Sequence, residues 1–150
     1  MIKNTTINFE SKEYLEFRDI TEEVEKIIKK VKIKNGNVLI YSTHTTLAIC
    51  INEKEKGIVS DFKNLMNKII PKENYYCHND LSIRTENLVC QSAASDCMNG
   101  HSHCTHLLMR NSETIPIINR KMTLGFWQRI FAIELDCCRK RTIVVQIMGE

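Results

Sequence analysis

The segment Asn37-Val-Leu-Ile-Tyr-Ser-Thr-His-Thr-Thr-Leu-Ala-Ile-Cys-Ile51 decides the fold of this chain. Two apolar runs, residues 37–42 and 47–51, have the length and the β-branched content of strands. Between them lies a polar link of hydroxyl-bearing residues that contains His44. Strand ends and loops are where side chains meet ligands while a sheet holds them in place. His44 is therefore a candidate site residue, although a lone histidine there is as often a hydrogen bonder that stabilises a turn.

The rest of the chain supplies further strands and two main helices around this segment. Apolar residues at helical spacing predict one helix that begins near Asp19 or Thr21, where Glu22 would complete a capping box with Asp19, and that stops at Asn35-Gly36. A second predicted helix covers residues 56–70 and ends before Pro71. The predicted strands are residues 5–9, 37–42, 47–51, 114–118, 122–124, 126–135 and 142–148. This order predicts an α+β fold with a large, largely antiparallel sheet.

Length and composition limit the possible classes of protein. At 150 residues, 43% hydrophobic and 26% charged, the chain is expected to form one globular domain, residues 1–150. A dispersed net charge of +3 gives no reason to expect nucleic acid as a partner. No apolar run is long enough to span a membrane and no signal peptide is recognisable, so we expect a cytoplasmic protein. Seven cysteines occur without a Cys-x-x-Cys motif, which argues against a structural zinc knuckle.

Three of the five histidines lie within residues 99–106, namely His101, His103 and His106. Imidazole can bind a metal or transfer a proton near neutral pH. A short helix is predicted from Ser102 to residue 109, with Leu107 and Leu108 facing inward. Residues 88–98 before it contain the small, polar run Gln-Ser-Ala-Ala-Ser-Asp, which predicts a loop that could act as a flap. A polar surface turn whose histidines merely cluster is the alternative.

The fifth histidine, His78, lies beside Asp80, and a carboxylate next to histidine commonly fixes its tautomer. Several ordered motifs here, taken together, resemble the YjbQ-like family, whose members are often named secondary thiamine-phosphate synthase enzyme. The motifs are residues 42–53, Tyr-Tyr-Cys-His-Asn-Asp at 75–80, Arg-Thr-Glu-Asn at 84–87, Asn-Gly-His-Ser-His at 99–103, residues 112–117, Leu-Gly-Phe-Trp-Gln-Arg-Ile at 124–130, Glu-Leu-Asp at 134–136 and residues 145–150.

The resemblance implies mixed β-sheets in a sandwich-like core and assembly as a homotrimer. It also implies that His44, His78 and His103 converge on one pocket. The residues expected near that pocket are Glu53, His101, Trp127 and Gln128.

Three neutral histidines suit a divalent metal, zinc first and magnesium as the alternative. We therefore expect His44, His78 and His103 as metal ligands, Glu53 as a base or as a partner of the ligands, and Asp80 as the group that orients His78. The expected substrate contacts come from Arg84, Arg110, His101, Trp127 and Gln128, with the helix start near Ser102 as a further phosphate-binding element.

Three functions remain open on this evidence. The family name implies transfer of a pyrimidine pyrophosphate to a thiazole phosphate, but that chemistry favours magnesium on carboxylates. A metal-dependent hydrolase of a small phosphorylated or cyclic substrate suits histidine ligands better. A trimer that binds a metal or a metabolite without catalysis explains the same residues, and an inert cleft with hydrogen-bonded histidines is the plainest alternative.

Overall fold

The computed structural model describes residues 1–88 and 98–150, so that the loop predicted for residues 88–98 lies almost entirely outside the described residues. The strands are β1 Ile2–Glu10, β2 Phe17–Asp19, β3 Gly36–Ser42, β4 Leu47–Glu53, β5 Ser112–Ile118, β6 Lys121–Met122, β7 Gln128–Glu134 and β8 Lys140–Gly149. The helices are α1 Thr21–Val31, α2 Lys56–Ile69 and α3 Gly100–Leu108, with a 3₁₀ turn at Cys77–Asn79.

The strands form two sheets, and every strand pair in the described residues is antiparallel. The larger sheet has the order β1-β8-β3-β5-β6, and the smaller has the order β2-β7-β4. β8 alternates buried and half-buried residues over most of its length, which is the period-two pattern of a strand with one face on the core. Side chains from both sheets and from α1 share one apolar core. The predicted α+β fold with largely antiparallel sheets is confirmed.

The helix boundaries differ from the sequence prediction at α1. The helix begins at Thr21 and ends at Val31, and Lys32, with a positive φ of 60°, caps its last turn before Asn35-Gly36 is reached. The predicted capping box does not form, because the Glu22 carboxylate accepts from Arg129 instead. In α2, the Glu55 side chain caps the first turn by accepting from the backbone N–H groups of Gly57 and Ile58.

The short helix α3 packs through a different face from the one predicted. Leu107 and Leu108 are 82% and 66% exposed, so the inward orientation predicted for them is wrong. The buried positions are Gly100, His101, Ser102 and Thr105. These small and polar residues let the helix approach its neighbours closely at its N-terminal end, while the two leucines lie beyond the covered surface. The short strand β2 was also absent from the prediction. No helix in the described ranges is long and apolar enough to cross a membrane.

Asp19, at the end of β2, joins the start of α1 to the smaller sheet. Its carboxylate accepts from the Thr21 backbone N–H at 3.0 Å and from the Thr21 hydroxyl at 2.7 Å. The same carboxylate contacts the Arg129 guanidinium at 2.8 Å and the Lys54 ammonium at 3.1 Å. Burial alone raises the pKa of Asp19, but the bonds from Thr21, Arg129 and Lys54 outweigh it and lower the pKa to about 2.

We expect Asp19→Asn to destabilise the protein at pH 7 by on the order of 1–2 kcal/mol, because a carboxylate bonded to two cations is lost. Since the folded-state pKa lies below the ordinary value of 3.8, this contribution is present above pH 3.8 and is lost as the pH falls towards about 2. The difference in the free energy of unfolding between the wild type and this variant, measured with urea from pH 7 to pH 3, should therefore become smaller as the pH falls. Asp61→Asn, at an exposed carboxylate of α2, is the control, and a difference at Asp19 that does not change with pH would contradict the assignment.

Candidate functional site

Three histidines from separate parts of the chain line one open cleft of about 910 Å³. His44 comes from the link between β3 and β4, His78 from the 3₁₀ turn at Cys77–Asn79, and His103 from α3. Arg84 lies in the same wall. The remaining lining residues are Thr45, Thr46, Cys77, Ile83, Glu86, Asn87, Asn99, Asp136, Arg139, Lys140 and Arg141. The structure therefore brings together the three histidines and Arg84 that the sequence had indicated.

The ring of His44 is held by the first residues of β8. Its Nε2 atom accepts a hydrogen bond of 2.9 Å from the backbone N–H of Thr142. An accepting Nε2 places the ring proton of a neutral histidine on Nδ1. Burial, followed by the charge of Arg141, lowers the pKa of His44, which favours this neutral form. His44 therefore presents a proton donor on Nδ1, while its Nε2 lone pair is already used by the backbone.

His78 is the end of a chain of polar contacts that runs to Asp136 and Arg139, in the turn between β7 and β8. Asn99 donates from Nδ2 to Oδ2 of Asp136 at 2.8 Å, and this bond turns the Asn99 Oδ1 atom towards His78 Nε2, 3.1 Å away. The Arg139 guanidinium donates to the same Asp136 oxygen at 2.9 and 3.1 Å. Asp136 and Asn99 together therefore favour a proton on His78 Nε2.

Arg84 approaches the same nitrogen from the other side. Its Nη1 atom lies 3.1 Å from His78 Nε2 and 3.1 Å from the His78 carbonyl oxygen. Guanidinium groups only donate, whereas the Asn99 oxygen only accepts. His78 Nε2 can therefore serve Asn99 in its protonated state or Arg84 in its unprotonated state. Burial, followed by the Arg84 charge, lowers the pKa of His78.

The His103 ring lies against the His78 ring, with the two centroids 4.5 Å apart. Burial first, and then the proximity of His78, lower the pKa of His103. Two adjacent imidazoles that are both kept neutral have the chemistry of a general base and its partner. The arrangement can accept a proton from a bound molecule and return it.

Arg141, which lines the cleft, belongs to a buried ion pair. Arg141, at the start of β8, bonds through Nε and Nη2 to the two carboxylate oxygens of Glu134, the last residue of β7. Arg141 also donates to the hydroxyl of Thr46 at 3.0 Å. The two side chains are only 5% and 1% exposed. This pair fixes the strand ends that carry His44 and Asp136.

Four residues expected near the pocket lie elsewhere in this chain. Glu53 and Gln128 are register partners at the end of β4 opposite to His44, about 20 Å away along the strand, and Trp127 adjoins them. Arg110 lies 3.6 Å from Glu113 and lines a separate hollow with His106.

The other two expected residues have different partners from those predicted. Asp80 accepts from the hydroxyl of Tyr75 at 3.0 Å and from the backbone N–H of Ser82 at 3.0 Å. The side chain that contacts His78 in the expected way is Asn99. His101 is buried, with its ring edge-on to that of Tyr14 at 5.3 Å, so it packs α3 onto the fold.

Sequence reasoning missed the polar residues that β7 and β8 bring to the cleft, namely Asp136, Arg139, Lys140 and Arg141, together with Asn99 as a partner of His78. The signal was present, because Glu134-Leu-Asp136 belonged to the motifs quoted for the resemblance. The basic run at residues 139–141 follows this motif after Cys137 and Cys138.

Comparison with known proteins agrees with this fold. The family model described as UPF0047 protein YjbQ-like matches residues 5–150. The chain belongs to the YjbQ-like UPF0047 family. A UPF0047 protein of Methanothermobacter thermautotrophicus is 35% identical over 136 residues, which cover 91% of this chain and 85% of the relative. A UPF0047 protein of Archaeoglobus fulgidus is 33% identical over 134 residues, covering 89% and 92%.

Solved structures of the family have the same fold. A YbjQ-like protein of unknown function from Sulfolobus solfataricus P2 superposes with a TM-score of 0.85 at 31% identity, covering 100% of this chain and 99% of that one. A YjbQ/UPF0047 protein from Clostridium acetobutylicum gives a TM-score of 0.81 at 28% identity, with coverage of 96% and 99%.

The three histidines expected as metal ligands differ in how their rings are held. Among residues 1–88 and 98–150, no three His, Cys, Asp or Glu side chains are grouped closely enough to hold one ion. His44 could bind a metal through Nε2 only by breaking its bond to Thr142. Of the three predicted ligands, His78 and His103 have adjacent rings.

Proposed function

We propose that the protein binds a small phosphorylated metabolite in the histidine cleft and catalyses a proton-transfer-dependent reaction at its phosphoryl group, with hydrolysis as the best match. The observation that carries this proposal is the convergence of His44, His78, His103 and Arg84 on one open cleft. Neutral imidazoles supply the acid and base, and guanidinium binds phosphate oxygens in pairs.

The charge of the cleft supports an anionic ligand. Its lining contains four cationic residues, of which Arg139 and Arg141 are paired with the carboxylates of Asp136 and Glu134. The remaining lining charges are those of Arg84, Lys140 and Glu86. The Arg84 side chain is fixed by donation to the backbone oxygens of His78, Glu86 and Asn87 at 3.1–3.2 Å. A guanidinium that is already positioned loses little conformational entropy when a phosphate binds.

The residues suggest a division of roles. Arg84 would hold phosphoryl oxygens, and His44 would donate a hydrogen bond from Nδ1 to the same group. His103, beside His78, would take a proton from the attacking water, and the Asn99–Asp136 contact would orient His78. The family name points to a transferase that forms thiamine phosphate, but the Asp136 carboxylate is already bonded to Arg139 and Asn99. That makes magnesium-assisted pyrophosphate transfer the weaker match.

Inorganic pyrophosphate, measured by isothermal titration calorimetry, tests the ligand class. We expect Arg84→Met to weaken its binding by at least about tenfold, because one charge-assisted bidentate contact is lost. Arg110→Met removes the same charge from a hollow outside the cleft and should leave the affinity unchanged. Equal losses in both variants would show that only overall charge matters.

Turnover then separates an enzyme from a binding protein. A panel of small phosphate monoesters, diesters and cyclic phosphates should include a substrate that the wild type hydrolyses and that His103→Ala does not. Formation of thiamine phosphate at the same rate in both proteins would place that activity outside this cleft.

We also propose, as the ligand chemistry allows, that a divalent ion such as zinc binds at these histidines. Under the three-histidine hypothesis, His44→Ala, His78→Ala and His103→Ala each lose stoichiometric zinc, as measured by elemental analysis after dialysis. His106→Ala is the control, because this residue of α3 lies outside the cleft. Zinc retained in all three cleft variants would refute the metal site, and retention in His44→Ala alone would reduce the ligands to His78 and His103.

A homotrimer is the assembly that we propose, following the family resemblance. Exposed apolar side chains support self-association, since Phe126 and Trp127 are 87% and 66% exposed and pack edge-to-face at 4.6 Å. Sedimentation velocity should give three times the mass of the chain for the wild type and a smaller species for Trp127→Ser. Tyr75→Ser, at an equally exposed aromatic residue, is the control. A monomeric wild type would contradict this assembly.

A further inference from the structure

Two adjacent cysteines lie in the turn between β7 and β8, at the edge of the cleft. The sulfur atoms of Cys137 and Cys138 are 3.0 Å apart, and both residues are exposed. Cys138 has a positive φ of 45° and its sulfur donates to the backbone oxygen of Lys12 at 3.3 Å. Other free cysteines of the described residues, such as Cys77 and Cys104, have no sulfur neighbour in the contacts that the structure shows.

We propose that Cys137 and Cys138 are a redox-sensitive modification site. Small disulfides oxidise the pair to a reversible vicinal disulfide, which changes ligand binding in the cleft. The effect on ligand binding rests on the proposed function, whereas the formation of the disulfide does not.

The chemistry is a thiol–disulfide exchange with a low-molecular-weight disulfide as the oxidant. One cysteine loses its proton to solvent, and its thiolate attacks the external disulfide, releasing the first small thiol and leaving a mixed disulfide. The neighbouring cysteine then loses its proton and attacks the protein sulfur of that bond, which releases the second small thiol. Two protein thiols become one disulfide, and one small disulfide becomes two thiols.

Backbone geometry makes this disulfide strained and therefore reversible. Neighbouring Cα atoms are about 3.8 Å apart, whereas disulfides usually join Cα atoms about 4.4–6.8 Å apart. Closing the ring must therefore change the backbone of the turn. Strained, exposed disulfides have more oxidising potentials and are the readily reduced ones. A cytoplasmic protein, as we expect this one to be, would keep the pair reduced until the thiol pool is oxidised.

The residues that flank the cysteines carry this change towards the histidines. Arg139 is tied down, because its backbone N–H donates to the Ser11 hydroxyl at 2.9 Å and its oxygen accepts from the Ser11 N–H at 2.9 Å. Asp136, on the other side of the cysteines, is held through its backbone N–H on Glu134, while its carboxylate is bonded to the Arg139 guanidinium and would follow a change in the turn between them. Since Asp136 holds Asn99, and Asn99 contacts His78, the disulfide would disturb the orientation of His78.

The modification itself is tested by incubating the full-length protein with oxidised glutathione, alkylating the remaining thiols and mapping peptides by mass spectrometry. We expect the wild type to lose two of its seven thiols, with the peptide that contains Cys137 and Cys138 unalkylated and lighter by two hydrogens. Dithiothreitol should restore both thiols. Cys104→Ser, at an exposed cysteine of α3, should behave like the wild type. A pair that remains fully alkylated, or a disulfide to any other cysteine, would overturn the proposal.

The effect on the cleft has two separate measurements. Oxidation should weaken pyrophosphate binding by at least about fivefold in the wild type and leave Cys137→Ser and Cys138→Ser unchanged. It should also shift the His78 ring signals in the NMR spectrum of the wild type alone. If reduced wild type binds no pyrophosphate, the proposed function fails while the mass and NMR results still decide this inference. Unmoved His78 signals in fully oxidised protein would overturn the coupling.

Discussion

The buried ion pair of Arg141 and Glu134 is the contact on which the site depends. Glu134 ends β7 in the smaller sheet, Arg141 begins β8 in the larger one, and Thr46 joins them from the link between β3 and β4. Removing one partner would leave an uncompensated charge in the interior, which typically costs about 3–5 kcal/mol. The pair therefore fixes the relative position of two sheets at the place where His44 is attached.

This constraint also explains why the cleft lies at one edge of the sheets. Thr142 follows Arg141 directly and supplies the N–H group that His44 accepts. Asp136 comes two residues after Glu134 and donates its own N–H back to the Glu134 carboxylate at 2.8 Å. The same pair of strand ends therefore positions the ring of His44 and, through Asn99, the ring of His78. The desolvation cost of this buried ion pair is offset by the hydrogen bonds that surround it.

The fold was largely predictable from the sequence because its signals are local. Alternation of apolar residues in β8 and the helical stripe of α1 depend only on neighbouring positions. The site was only partly predictable. His44, His78 and His103 followed from their residue type and from the resemblance, but the Asn99–Asp136 contact joins residues 37 positions apart and leaves no local pattern. The inward orientation predicted for Leu107 and Leu108 was wrong for the same reason, because the face of α3 that is covered depends on neighbours distant in sequence.

The distance between the histidines and a second group of expected site residues, Glu53, Trp127 and Gln128, limits how the site can work. They lie at the opposite end of β4 from His44, about 20 Å along the strand, which is further than one small metabolite can reach. Within one chain, the two groups therefore cannot act on the same molecule. The roles expected for them beside the histidines require a second copy of the chain to bring this end of its sheet to the cleft. The proposed catalysis uses residues of the cleft alone and does not depend on the trimer, whereas any role for Glu53, Trp127 and Gln128 in it does.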